Sequence, residues 1–112
     1  MKRTVEIRTY RLRPNAKAQF HELVMAQSVP MLQRWGTDVV AFGPSCDGDD
    51  GYVLIRAYDS VADLHASQDA FYASAEWDGG LRQAILDLIE QHSSVVLDLD
   101  RSVVDMLSAI VR

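Results

Sequence analysis

Two arginines and three tyrosines are the side chains of this 112-residue chain whose types and spacing best fit chemistry. Arg8 precedes Tyr10 by two residues, and Arg56 lies at even spacing from both Tyr52 and Tyr58. Because side chains alternate along a β-strand, residues two apart share one face. A guanidinium grips a carboxylate, enolate or phenolate through two parallel hydrogen bonds, and a nearby tyrosine hydroxyl can donate a proton or orient a polarised carbonyl. The spacing therefore predicts a site for a small anion.

Two interpretations of this arginine pair stay open. Buried cations need anions, and Glu6 and Asp98, at flanking positions, are able to supply them from within the protein. Alternatively, a bound carboxylate, enolate or phenolate completes the set. The predicted ligand-contacting residues are Arg8, Tyr10, Phe42, Tyr52, Arg56, Tyr58, His65 and Asp98.

Residue spacing gives little support to a metal or nucleophile site. The histidines His21, His65 and His92 stand apart, with no HxH or HExxH pattern, so no metal is predicted. The acidic loop 47–51 lacks the oxygen spacing of an EF-hand, and Cys46 has no basic neighbour to activate it. Hydrolase, dinucleotide-binding and phosphate-binding glycine motifs are missing too, so we predict no cofactor. The aromatic cluster Phe71, Tyr72 and Trp77 is interpreted as packing anchors.

Composition bounds the class of protein. With 48% hydrophobic and 24% charged residues, the chain fits one globular domain over residues 1–112 and excludes collagen-like and disordered classes. No apolar run reaches the roughly 20 residues that span a bilayer, and residues 1–6 lack the apolar core of a secretory signal. The single Cys46 forms no internal disulfide, so we expect a cytoplasmic protein with no membrane insertion.

Charge is uneven along the chain. Seven of the eleven Lys and Arg residues lie within residues 1–34, while the remainder of the chain is strongly acidic. Arg8, Arg11 and Arg13 nevertheless interleave with apolar residues as in a strand, and the acidic remainder would repel a phosphate backbone. Nucleic-acid binding is therefore not expected.

The elements that must position these residues follow a β-α-β-β-α-β order. This order predicts an α+β, ferredoxin-like antiparallel sheet of order 4-1-3-2 with both main helices on one face, plus a short C-terminal helix. The predicted strands are Val5–Arg13, Asp38–Pro44, Tyr52–Tyr58 and Ser94–Asp100. The first predicted helix is Ala16–Trp35, with Asn15 as N-cap, a kink at Pro30 and Gly36 at its end. The second runs from Val61 to about Tyr72 and is capped by Ser60 with Asp63. The third runs from Ala75 to about Gln91, is capped by Ser74 and is bent or interrupted at Gly79–Gly80, and a last helix is capped by Ser102 with Asp105.

Alternation divides the strands into two sets of side chains. A uniformly apolar set is predicted to pack on the helices: Val5, Ile7, Val53, Ile55, Ala57, Val95, Leu97 and Leu99. A mixed set is predicted to face a second copy: Glu6, Arg8, Tyr10, Leu12, Val40, Phe42, Tyr52, Leu54, Arg56, Tyr58, Val96, Asp98 and Asp100. Two such sheets face to face close an eight-stranded dimeric barrel with a sealed core or a ligand cavity.

Across nearly its whole length the chain resembles the NIPSNAP family of the dimeric α/β-barrel superfamily. The segments that carry the resemblance are Val5–Tyr10, Pro30–Gly36, Val39–Pro44, Leu54–Ser60 and, most distinctive, Ser67–Trp77. The resemblance implies a ferredoxin-like protomer and a homodimer, with His65 on the helix that borders the cavity of haem-degrading relatives. It implies no settled activity, because the wider superfamily includes cofactor-independent monooxygenases, haem-degrading enzymes and stress-response proteins. Residues 101–112 resemble an addition whose stripe of Val103, Leu107, Ile110 and Val111 could dock across the barrel seam.

Three function classes remain open on these residues. The favoured one is a homodimeric, NIPSNAP-like, stress-linked or small-molecule-binding protein whose barrel cavity takes an anionic or aromatic ligand. The second is a cofactor-independent oxygenase or isomerase of activated phenols or enols, in which Arg8 and Arg56 stabilise the anion and a tyrosine or His65 moves the proton. The third is a non-catalytic dimerisation or interaction module.

Overall fold

Four strands and five helices make up the computed structural model, which describes residues 2–111. The strands are β1 (Lys2–Leu12), β2 (Asp38–Pro44), β3 (Gly51–Tyr58) and β4 (Ile89–Asp100). The helices are α1 (Lys17–Leu23), α2 (Val29–Arg34), α3 (Val61–Tyr72), α4 (Arg82–Leu86) and α5 (Arg101–Val111). The sheet is antiparallel and has the order β2-β3-β1-β4, which reads 4-1-3-2 from its other edge.

Two π turns lie near the two places where the sequence predicts an irregular helix: the kink at Pro30 and the bend or interruption at Gly79–Gly80. The turn Val24–Ser28 joins α1 to α2 directly before Pro30, which has no N–H for the helical ladder. The turn Trp77–Leu81 contains Gly79 and Gly80 and leads into α4. The backbone stays helical through both segments, because each π turn accommodates one extra residue.

Helix ends follow local chemistry at most of the predicted positions. Gly36 has φ +81° just after α2, as its predicted end position requires. Ser60 caps α3, since its hydroxyl accepts a hydrogen bond from the Asp63 N–H at 3.0 Å. Asn15 is not the N-cap of α1: it lies in the left-handed region at φ 65°, and Ala16 occupies the cap position.

The boundary before β4 differs from the prediction. The apolar spacing predicts a helix that reaches about Gln91, but α4 ends at Leu86 and β4 begins at Ile89. Leu12 pairs with Ile89, so the long β1 supplies partners for β4 from end to end except at Glu90, where the register shifts. These ladder hydrogen bonds override the helical spacing of the apolar residues.

The helices cover the opposite face of the sheet from the predicted one. The mixed set, not the uniformly apolar set, faces them. Its members Leu12, Tyr52 and Leu54 share one core with Phe20, Val24, Leu32, Phe71, Trp77, Leu81 and Ile85 from the helical layer. Alternation shows which side chains share a face but not which face the helices cover. The mixed face accepts burial because its charged side chains pair with each other, as described below.

The last helix, α5, covers one end of the other, uniformly apolar face. Val104 is 2% exposed and packs with Val5, Val40, Ala41 and Ala57. Val40 thus belongs to this face and not to the mixed set, because β2 shifts register between Val39 and Ala41.

The start of α5 also lies two residues earlier than predicted. Asp100, rather than Ser102, supplies the cap, because its carboxylate accepts hydrogen bonds from the Ser102 N–H at 3.1 Å and hydroxyl at 2.9 Å. The side chains of Ile110 and Val111, predicted on the same stripe, lie outside the described part of the chain. Within residues 2–111, no helix combines the length and hydropathy that crossing a membrane demands.

Candidate functional site

A buried ion pair lies between the sheet and α3. Glu6 of β1 and Arg56 of β3 stand directly opposite each other and are 3% and 1% exposed. Arg56 donates to Glu6 Oε1 from Nε at 3.1 Å and from Nη2 at 2.5 Å, and Gln68 of α3 donates to the same oxygen at 3.1 Å. The internal interpretation of the sequence is therefore confirmed for Arg56. Asp98 does not take part: it accepts a hydrogen bond from the Thr4 hydroxyl at 2.9 Å.

Tyrosines complete this network. Arg56 Nη1 donates to the Tyr72 hydroxyl at 3.0 Å, and Gln68 donates to the Tyr58 hydroxyl at 3.2 Å. Burial by itself lowers the pKa of Arg56, but Tyr72, Tyr58 and Glu6 outweigh it and raise that pKa above its usual value. For Tyr58, burial is the main effect and raises the pKa above its usual value. At neutral pH Arg56 is therefore charged, and the Tyr58 hydroxyl keeps its proton.

A small enclosed cavity adjoins the ion pair. Its volume is about 30 Å³, and Arg56, Tyr10 and Tyr72 are among its lining residues. Such a space holds a water molecule, whereas ligand pockets run from about 300 Å³ upwards. Both π turns reach it, the first through Ser28 and the second through Trp77. Inserted turns of this kind are frequent at functional sites.

An open groove of about 290 Å³ lies next to this cavity, and we call it the Arg8 groove. Its lining residues are Arg8, Tyr72, Trp77, Arg82 and Leu86. Tyr72 and Trp77 line both spaces, and their rings meet edge to face with centroids 5.4 Å apart. This aromatic pair therefore contributes to the walls of both spaces.

Arg8 reaches the groove from β1. It is half-buried, and its guanidinium carbon lies 5.8 Å from the centroid of the Tyr10 ring. One of its terminal nitrogens lies 3.4 Å from His92 Nδ1, at the long end of hydrogen-bond distances. Its Nε is buried with no hydrogen-bond partner among the described residues.

The remaining tyrosines of the predicted site keep their protons. Burial raises the pKa of Tyr10 to about 12, and burial also raises the pKa of Tyr52. Tyr52 contacts His21 through a hydrogen bond of 2.6 Å. At neutral pH these hydroxyls donate or accept hydrogen bonds, but they do not act as bases. The arrangement favours binding and polarisation over proton abstraction.

The predicted site residues fall into groups. Tyr10, Tyr52 and Arg56 line the cavity, Arg8 lines the groove and Tyr58 belongs to the buried network. Phe42, half-buried, packs at the His21 end of the core, while His65 and Asp98 are exposed and line neither space.

Sequence reasoning missed Gln68 and Arg82 as site residues and treated Tyr72 and Trp77 only as packing anchors. A usable signal exists for two of them. Gln68 and Tyr72 lie four and eight residues after the buried Leu64, hence on the core side of α3. A polar side chain on that side of a helix indicates a buried partner on the sheet.

The family is shown by direct comparison. The NIPSNAP family model matches residues 5–101. A NIPSNAP family protein with unknown function from Agrobacterium tumefaciens is 26% identical, with a TM-score of 0.79 over 88% of this chain and 89% of that chain. A NIPSNAP-like domain protein from Burkholderia xenovorans is 22% identical, with a TM-score of 0.80 over 89% of this chain and 86% of that chain.

A third structure shares the fold alone. A protein from Bordetella bronchiseptica described as an antibiotic biosynthesis monooxygenase is 22% identical, with a TM-score of 0.65 over 90% of this chain and 98% of that chain. Among curated proteins no sequence matches. The family match covers most of the residues, including both arginines of the site, and the chain therefore belongs to the NIPSNAP family.

Proposed function

We propose that this protein binds a small anionic or aromatic molecule between its sheet and its helices. The observation that carries the proposal is the shared lining: Tyr72 and Trp77 line both a groove of about 290 Å³ and a cavity of about 30 Å³ that Arg56 also lines. The proposed site thus lies within one protomer, on the helix side of the sheet, and not inside a dimeric barrel.

The chemistry of the walls supports a ligand. Most of the lining is aromatic or aliphatic with a few polar groups, as is usual for pockets that bind small molecules. Arg56 uses three N–H groups on Glu6 and Tyr72, which leaves two of the five donors of a guanidinium for a bound group or a water.

We also propose that the functional form is a homodimer formed through the uniformly apolar face. Val95 is 61% exposed there, and Ile7, Val53 and Ile55 are only half-buried. Exposed apolar patches mark protein contacts, and the long edge strand β4 offers backbone hydrogen-bonding groups along its free side. Because α5 covers the other end of this face, the second copy meets the end that carries Val95.

We propose a cytoplasmic location as well, because a single exposed cysteine, Cys46, fits a reducing compartment.

The oxygenase or isomerase alternative has weaker support. It needs a proton acceptor beside an enclosed, ligand-sized space. The enclosed cavity is about 30 Å³, and burial raises the pKa values of Tyr10, Tyr52 and Tyr58. The observed geometry favours binding.

Tryptophan fluorescence tests the proposed site. The Trp35→Phe variant leaves Trp77 as its single tryptophan, and we expect a saturable change in its emission with ligands from a panel of aromatic carboxylates, phenols and amides. The Trp77→Phe variant keeps Trp35, which lies outside both spaces, and serves as the control. Absence of a saturable change at Trp77, together with no thermal shift across the panel, would contradict the proposal.

A further inference from the structure

We infer that the Arg8 groove is an anion site in which Arg8 is the main cation and Arg82 the second. Its ligand then carries a carboxylate, or another acidic group of that size, on a flat apolar body. This inference rests on the proposed binding function and adds the ligand's charge and its anchoring residue.

Arg8 differs from the other arginines of the sheet because it has no carboxylate partner among the described residues. No carboxylate of the described residues lies within ion-pair distance of it. The other three are each paired: Arg3 with Asp38 at 2.5 Å, Arg11 with Glu90 at 3.5 Å and Arg56 with Glu6 at 2.5 Å. One arginine of the predicted pair is thus neutralised inside the protein, and the other is not.

The surroundings of Arg8 make that missing anion significant. Its Nε is buried without a partner, and its contacts are an aromatic ring, Tyr10, and an imidazole, His92. A buried donor without an acceptor is unfavourable, and partial removal of water strengthens attraction to a nearby charge. A carboxylate in the groove can accept from Nε and a terminal nitrogen together. Binding would therefore satisfy the donor and neutralise the charge at once.

The rest of the groove specifies the ligand's other end. Arg82 has one charged partner in the described residues, Asp78, at 3.7 Å on the surface of the same helical segment. Exposed pairs of this type are weak, so a stronger anion displaces Asp78 readily. Trp77, Tyr72 and Leu86 provide an apolar wall beside the two cations. Two positive charges beside aromatic rings select an anion with a flat apolar body, and the groove volume suits one or two rings.

Matched acid and amide pairs test this inference by calorimetry. Benzoate is compared with benzamide, 2-naphthoate with 2-naphthamide and indole-3-acetate with indole-3-acetamide, since the members of a pair share shape and differ in charge. We expect the acid of at least one pair to bind about tenfold more tightly than its amide. Arg8→Gln is expected to remove that difference, and Arg8→Lys to restore part of it.

Arg11→Gln is the matched control, because Arg11 lies on the same strand, outside the groove, with Glu90 as partner. It should leave both affinities unchanged. Acid affinity of the wild-type protein should also fall between about 0.05 and 0.5 M NaCl while amide affinity does not, which tests the charge without any variant. Equal binding of acids and amides would overturn the anion site and leave the proposed function standing. Binding of neither would overturn both.

Discussion

Arg56 is almost fully buried, and three of its N–H groups are satisfied by Glu6 and Tyr72. Removing one partner of such a pair costs far more than its net contribution, because the other charge stays in a poorly hydrated space. The pair therefore makes the mixed face of the sheet a suitable surface for the helices only while both members are present.

Glu6→Gln tests this dependence. We expect the free energy of unfolding to fall by about 3–5 kcal/mol, since Arg56 then lacks a counter-ion. Urea denaturation measures the loss. Asp98→Asn is the matched control: the same change at an exposed carboxylate, bonded to Thr4, should cost about 1 kcal/mol or less. Similar losses for the two variants would contradict a special role for the buried pair.

Tyr10 gives a pH dependence at the same scale. Burial raises its pKa from 10.0 to about 12, so the folded state keeps a proton that the unfolded state has lost. Its contribution is fully present below pH 10 and decreases as the pH rises toward 12, by up to about 3 kcal/mol. Urea midpoints between pH 9 and about 11.5 should fall less steeply for Tyr10→Phe than for the wild-type protein. Identical slopes would show that Tyr10 ionises normally in the folded protein.

Among the elements, the π turn Trp77–Leu81 shows how local sequence and local space combine. Gly79 and Gly80 lie in helical backbone, and a Cβ added at either meets no atom within 4 Å. Gly36 also has room, but its φ of +81° strains any residue with a side chain. The same substitution should thus act in opposite directions at the two places.

Gly79→Ala and Gly80→Ala should each raise the free energy of unfolding by about 0.4–1 kcal/mol, because alanine restricts the unfolded chain without a clash. Gly36→Ala should lower it by about 1 kcal/mol. Thermal unfolding of the three variants gives the order directly. A loss of stability at positions 79 and 80 would mean that the turn needs freedom that glycine alone provides.

Element boundaries can be predicted from sequence where nearby residues determine them, but not where a distant strand does. The end of α2 at Gly36 and the start of α3 at Ser60 follow from chemistry within a few residues, and both are confirmed. The start of β4 at Ile89 depends on Leu12 of β1, far away in the chain, and helical spacing alone gives the wrong boundary.

The candidate site divides in the same way. Alternation brings Arg8, Tyr10 and Arg56 to one face, as the register of β1 and β3 requires. It does not reveal which face the helices cover, so the partners from α3, Gln68 and Tyr72, remained unassigned. That choice depends on whether buried charges find partners, which is a property of the assembled molecule.

At the scale of the whole molecule, the uniformly apolar face is the side of the sheet that the chain's own helices cover only in part. Val104 of α5 closes the end near Val5 and Ala57. The other end keeps Val95 exposed on the edge strand, opposite half-buried Ile7. A long edge strand with an exposed valine on this face invites association, so a second copy is expected there.

A single charge at this face should separate the proposed dimer. Light scattering is expected to give twice the chain mass of 12.5 kDa for the wild-type protein at micromolar concentration and the single-chain mass for Val95→Asp. Val61 is also an exposed valine, at 48%, but it lies on α3 in the helical layer, so Val61→Asp should stay dimeric. A wild-type mass of one chain, or a Val95→Asp dimer, would contradict an interface on this face. Because the Arg8 groove lies on the helix side of the sheet, ligand binding by the Val95→Asp monomer is expected to persist, which separates the two proposals.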